Sequence, residues 1–329
     1  MLHVILSRCQ GPLLQHCHQR FCPFRLGYGV KSRGKHRPSL TLHRHKPETP
    51  VSLRLITRCG FFTFFSVNAL FFGSAIWGSE LWRKKSSYFK QDRNAQRSSA
   101  RDFLRKIRTK CELLLGRPFN ATDVYWVIVT FNLLVFFGYR TPLKSVFSRY
   151  FANSLYSPTP ALSMFLSVFS HHSLLHLGIN MYVLHSFTPT LIGIIGSGEF
   201  LSVFLGGGIF ASFMSLLNKA IRQSPIPSLG ASGAICAVLG AFCLLQPNAR
   251  LCVPFVVDVI PHSFKAENAA WTLLFMELFA AFILSRSPID HAAHFGGLLF
   301  GIYYGLSGTD GILKRRAEIA SWWRNYRSG

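Results

Sequence analysis

Long stretches of the chain carry no Asp, Glu, Lys or Arg. They are residues 59–79, 124–139, 150–198, 200–218, 223–249 and 291–309; a further run, 268–284, is interrupted only by Glu277. A helix that crosses the hydrocarbon core of a bilayer needs about 20 predominantly apolar residues. These windows predict about seven spanning helices, one early and alone and then six closely spaced. The expected fold class is all-α, a polytopic membrane protein.

Composition supports this pattern. Of 329 residues, 49% are hydrophobic and 31 are Phe, and only 15% are charged, against about 25% in soluble domains. The net charge of +23 is concentrated outside the apolar windows. Residues 1–58 hold eleven Lys and Arg and a single acid, Glu48, with no long apolar run. That is the composition of a mitochondrial transit peptide rather than a secretory signal; a basic tail for nucleic acid or anionic lipid is the alternative. A second basic block, 83–110, follows the first apolar window and suits an anionic lipid surface. The charge is therefore read as targeting and membrane interface, not as a nucleic-acid footprint. The expected organisation is a presequence or disordered basic segment (1–58), an extra transmembrane helix (59–82), a basic linker (83–120), a six-helix core (121–309) and a basic amphipathic tail with Trp322 and Trp323 (310–329).

Polar side chains in an apolar segment are costly, so each requires a reason. Gly230-Ala-Ser232-Gly233 opens an apolar run. A serine at a helix N-terminus sits beside backbone N–H groups that lack intrahelical partners. Those donors can hold an oxyanion. Gly233, Ala237 and Gly240 then form a small-residue face; Ser232 as a plain N-cap on a packing face is the blander alternative. In the run from Asp290 to Gly305, Gly297, Gly301 and Gly305 recur every four residues, and His294 precedes them on the same face. Two glycine-faced helices can approach until a serine hydroxyl and an imidazole meet; a core histidine is the alternative. Asp290 reads as the N-cap of the second helix rather than as a triad acid.

His172, His176 and Asn180 are spaced four apart and read as one polar stripe. It can donate to an oxyanion or form interhelical hydrogen bonds. The HExxH zinc signature is absent and no CxxC pair occurs, so neither a metal nor a cofactor is expected. Glu277 is expected to be protonated or hydrogen-bonded to a neighbouring helix, without a catalytic role.

Together, HxxxxHxxxN at 171–180, GxSG at 230–233 and AHxxGxxxG at 293–301 resemble the rhomboid intramembrane serine proteases, over roughly residues 124–305. The presequence, the extra first helix and the HAAH-x-GG wording look like the mitochondrial, presenilin-associated rhomboid-like subgroup. The resemblance implies Ser232 as nucleophile and His294 as general base, a dyad. It implies an oxyanion hole of His176, Asn180 and the Ser232 N–H, with Gly230, Gly233, Gly297 and Gly301 supporting helix packing. Single-pass transmembrane proteins of the mitochondrial inner membrane would be the substrates. A catalytically inactive relative that binds membrane clients is the alternative function. Two features depart from the family pattern. The loop FSRYFANSLYSP lacks the Trp-Arg pair of many members, and Cys236 stands where many bacterial members carry Tyr.

Overall fold

The computed structural model describes residues 52–90, 123–253, 256, 260, 262–284 and 287–328. Most of the expected presequence and of the basic linker lies outside them. Ten α-helices are described: α1 (Leu53–Lys90), α2 (Asp123–Gly138), α3 (Lys144–Tyr150), α4 (Pro160–Leu166), α5 (Leu174–Ile195), α6 (Ser197–Arg222), α7 (Ser232–Leu245), α8 (Ala266–Ile283), α9 (His291–Leu306) and α10 (Gly308–Ser328). One short antiparallel hairpin, β1 (Arg250–Leu251) with β2 (Phe264–Lys265), connects α7 to α8. The protein is an all-α polytopic membrane protein. Four of the described helices, α1, α5, α6 and α8, are long and apolar enough to cross a membrane.

Helix α6 is the central post. Its Phe200, Val203, Phe204, Ile209 and Leu216 are almost fully buried. It presents Gly206, Gly207 and Gly208 to its neighbours, and a Cβ on Gly207 would lie 2.2 Å from that of Ala237 on α7. Helices α7 and α9 approach more closely still. A Cβ on Gly301 would fall 2.0 Å from the Ala237 carbonyl oxygen, and one on Gly297 would fall 2.1 Å from that of Gly233. These contacts are backbone against backbone, so glycine is required there. Outward-facing positions stay apolar, as in Phe275, Met276, Phe279 and Phe282 of α8, which is how a helix bundle meets lipid.

The length of α7 has a consequence for depth. Its 14 residues span about 21 Å at 1.5 Å per residue, less than the roughly 30 Å hydrocarbon core. A helix of that length does not cross the core alone, and Ser232 at its start is half-buried.

Helix α1 runs from Leu53 to Lys90, beyond both edges of the uncharged window. An apolar window marks the depth of the membrane, and a helix without proline does not stop where the charges begin. The segment after Tyr150 contains α4 and a 3₁₀ turn at Ser167–Phe169. The tail is helix α10, and it does more than lie on a surface. Arg316 donates to the Ile195 carbonyl at 3.0 Å. Arg315 and Arg316 stand 3.9 and 3.7 Å from the buried carboxylate of Glu199. Glu199 also accepts from Tyr304 of α9 (3.1 Å) and Ser74 of α1 (3.2 Å). One carboxylate thus ties α1, α6, α9 and α10 together, and its charge is balanced, as burial requires.

Candidate active site

Helix α7 begins at Ser232. The segment leading into it is held on three sides. Ser228 pairs with Asn153 through two backbone hydrogen bonds of 2.8 and 3.0 Å, and Gly230 N–H donates to the Ser167 carbonyl at 3.0 Å. Gly230 has φ +140°, a conformation that a residue with a Cβ rarely adopts. A Cβ there would also sit 2.9 Å from Cε1 of His176 and 3.8 Å from Oγ of Ser232. Gly230 therefore leaves room for the His176 ring beside the segment that opens α7.

His294 enters from α9. Asp290 caps that helix, accepting from the Ala293 N–H at 3.1 Å. The close α7–α9 approach at Gly297 then brings His294 Nε2 to 2.8 Å from Ser232 Oγ. On its other side, Nδ1 of His294 lies 3.1 Å from Oε1 of Glu277 on α8. Oε2 of the same carboxylate lies 2.6 Å from Nδ1 of His291, whose Nε2 is 3.0 Å from Ser287 Oγ. Of the two expectations for Glu277, protonation or a hydrogen bond to a neighbouring helix, the structure shows the second: its partners are the two histidines of α9, one of them bonded to the serine.

The proposed oxyanion stripe is only partly helical. Ser173 caps α5 by accepting from the His176 N–H at 3.1 Å. His171 and His172 therefore precede the helix, and only His176 and Asn180 ride on it. Nδ1 of His176 is 3.0 Å from Nδ1 of His172. The Asn180 side-chain amide donates back to the His176 carbonyl at 2.8 Å, so it is turned along its own helix. His171 is buried and positioned to accept from the Ala231 N–H at 3.5 Å. Burial, reinforced by the nearby His176 and His172 rings, pushes its pKa down to about 3, so it stays neutral and keeps a lone pair for that N–H. Cys236 lies one turn into α7 and packs against the buried cluster that includes Cys243, Leu274 and Leu298.

Asp290 faces away from the imidazole. Its Oδ2 accepts from Ser215 Oγ at 2.5 Å and stands 3.7 Å from Lys219 Nζ. Lys219 also donates to Ser228 and to the Asn153 carbonyl. Sequence spacing shows only the cap; the pairing with Lys219 depends on how α6 crosses α9. Burial alone would raise the Asp290 pKa. The Lys219 ammonium, the Ser215 and Ser228 hydroxyls and the Ala293 N–H outweigh it and hold the carboxyl below its usual value. A depressed carboxylate contributes stability that is present above the unfolded pKa of about 4 and lost as pH falls through the folded value. Asp290→Ala is expected to cost about 3 kcal/mol, because it leaves Lys219 buried without a counter-charge. Thermal unfolding in detergent checks this. The wild-type advantage should be full at neutral pH and shrink as the buffer is taken below about pH 4.

The fold and this site define a class: a polytopic helical membrane protein with a serine and a histidine in hydrogen-bond contact between two glycine-faced helices. The comparisons name the family. The Rhomboid domain model matches residues 159–309. The chain is 35% identical over 287 residues to the presenilin-associated rhomboid-like protein, mitochondrial, of Homo sapiens, covering 85% of this chain and 74% of the relative. It is 35% identical over 172 residues to Rhomboid protein 1, mitochondrial, of Saccharomyces cerevisiae, covering 50% and 48%. It is 28% identical over 151 residues to Rhomboid protease GluP of Bacillus subtilis, covering 46% and 27%. The chain belongs to the rhomboid family. It is a mitochondrial multi-pass membrane protein.

Proposed function

We propose that this protein is an intramembrane serine endopeptidase of the mitochondrial inner membrane, cutting single-pass transmembrane substrates in or near the bilayer. The observation that carries the reading is the 2.8 Å contact between His294 Nε2 and Ser232 Oγ at the N-terminus of α7. As Ser232 Oγ attacks the scissile carbonyl carbon, its proton passes to Nε2 of His294 and the carbonyl π electrons move to oxygen. The resulting oxyanion faces the N–H groups of the first turn of α7. His176 is the proposed side-chain donor; Asn180 has to release its own helix to take part. His294 then protonates the leaving amine as the C–N bond breaks, which leaves an ester on Ser232. Water, giving a proton to His294, attacks that ester, and the proton returns to Ser232 Oγ as it departs.

The proposed substrate class is supported by the chemistry of attack. Attack needs an extended backbone, and unwinding a helix in lipid exposes unpaired N–H and C=O groups. Substrates are therefore single transmembrane helices with helix-destabilising residues near the cut. Anionic lipid would contact the basic segments. The test is labelling by a fluorophosphonate probe in detergent. Wild type is expected to label, and Ser232→Ala and His294→Ala are expected not to. Labelling of Ser232→Ala at the wild-type level would refute the nucleophile. Silence of all three, together with an uncut model transmembrane substrate, would identify an inactive relative that binds clients instead.

A further inference from the structure

Glu277 is an acid in the middle of a helix whose other faces meet lipid. Its side chain is 21% exposed. An ionised carboxylate at such depth costs several kcal/mol unless partners compensate it, and both of its oxygens are occupied by imidazole nitrogens. For His294 Nε2 to accept the Ser232 proton, Nε2 must present its lone pair. The ring hydrogen then sits on Nδ1 and needs an acceptor. Glu277 Oε1, at 3.1 Å, is that acceptor. The neighbouring bonds follow the same polarity. His291 Nδ1 donates to Oε2, and Ser287 can donate to His291 Nε2. Held at both oxygens, the carboxylate cannot swing away. When the Ser232 proton reaches His294, the imidazolium forms beside a fixed negative charge rather than alone in a low-dielectric bundle.

We propose that Glu277 is a positioning residue for His294, so that the working unit is Ser232–His294–Glu277 with His291 bracing the carboxylate. The proposal rests on the protease reading and goes beyond a serine–histidine dyad. Asp290, the acid nearest in sequence, is excluded from that place because its oxygens serve Ala293, Ser215 and Lys219.

The test uses the full-length protein with a model transmembrane substrate, and measures kcat, KM and melting temperature for four proteins. These are wild type, Ser232→Ala, Glu277→Gln and Glu277→Asp. Ser232→Ala should be inert. Glu277→Gln, which keeps the shape but not the charge, should lose on the order of 10⁴ in kcat, the loss seen when a triad acid is replaced, with KM changed by less than about threefold. Glu277→Asp should recover at least about tenfold of that loss. A wild-type kcat in Glu277→Gln beside an inert Ser232→Ala would overturn the proposal and leave the dyad standing. Equal losses in the Gln and Asp variants, tracking a lowered melting temperature, would also overturn it, since the carboxylate would then be structural. Wild-type cleavage by Ser232→Ala would remove the protease reading and this proposal together.

Discussion

Alanine at Ser232 or at His294 is expected to lower cleavage of a transmembrane substrate by about four to six orders of magnitude, and the double variant by no more than either single one. The hydroxyl and the imidazole share one 2.8 Å contact, and each is useless for acyl transfer without the other. Without the base, a neutral serine hydroxyl is a weak nucleophile; without the serine, the histidine has nothing to deprotonate but water. Independent contributions would multiply, and a double variant far below both singles would mean that the two residues do not act as a unit. The residual rate in all three should match, because the N-terminus of α7 and substrate binding survive each change. Single-turnover cleavage, with Asp290→Asn as a comparison, checks this. Asp290 serves the fold rather than the proton, so its effect should appear in melting temperature before it appears in the rate of the folded fraction.

The apolar windows announce the helices because exclusion of charge from lipid is a local property, readable residue by residue. Helix ends are less so. The apolar stretch of α1 gives no sign that the helix continues to Lys90, and the start of α5 at Leu174 depends on one Ser173 cap. The meeting of Ser232 and His294 is foreshadowed by glycines spaced four apart on α9 and by the small-residue face of Gly233, Ala237 and Gly240 on α7, since such faces have few uses other than close approach. The partners of Glu277 and Lys219 have no comparable signature. Whether Glu277 meets His294 or Asp290 meets Lys219 depends on the rotation of α8 and the crossing of α6 over α9. Those are tertiary quantities that no periodicity along one helix encodes. A lone acid in an apolar run was the available signal. It left protonation or a partner on a neighbouring helix as alternatives, without pointing to the histidine bonded to Ser232.

The glycine contacts also set the second large effect. Gly301→Ala is expected to destabilise the protein by about 3 kcal/mol or more, at or above the upper end for overpacked sites. The added Cβ would lie 2.0 Å from the Ala237 carbonyl oxygen and 2.8 Å from the Ala241 nitrogen. Both are backbone atoms of α7, so no side chain can rotate out of the way and the helices must part. Gly297→Ala meets the Gly233 carbonyl oxygen at 2.1 Å, one turn from His294, and should separate the imidazole from Ser232 Oγ as well. Reaching ordinary contact at about 3.4 Å requires a displacement of more than 1 Å, and misplacement on that scale costs about 100-fold in rate. Gly178→Ala is the control. That position on α5 is exposed, with nothing within 4 Å of a new Cβ, and alanine there should be neutral or slightly stabilising through helix propensity. Melting temperature should therefore fall for Gly301→Ala and Gly297→Ala and hold for Gly178→Ala, while fluorophosphonate labelling of the fraction still folded falls most for Gly297→Ala. Unchanged labelling in that variant would mean that α7 and α9 can separate without parting Ser232 from His294, and that the backbone contact at Gly297 is not what sets the distance between them.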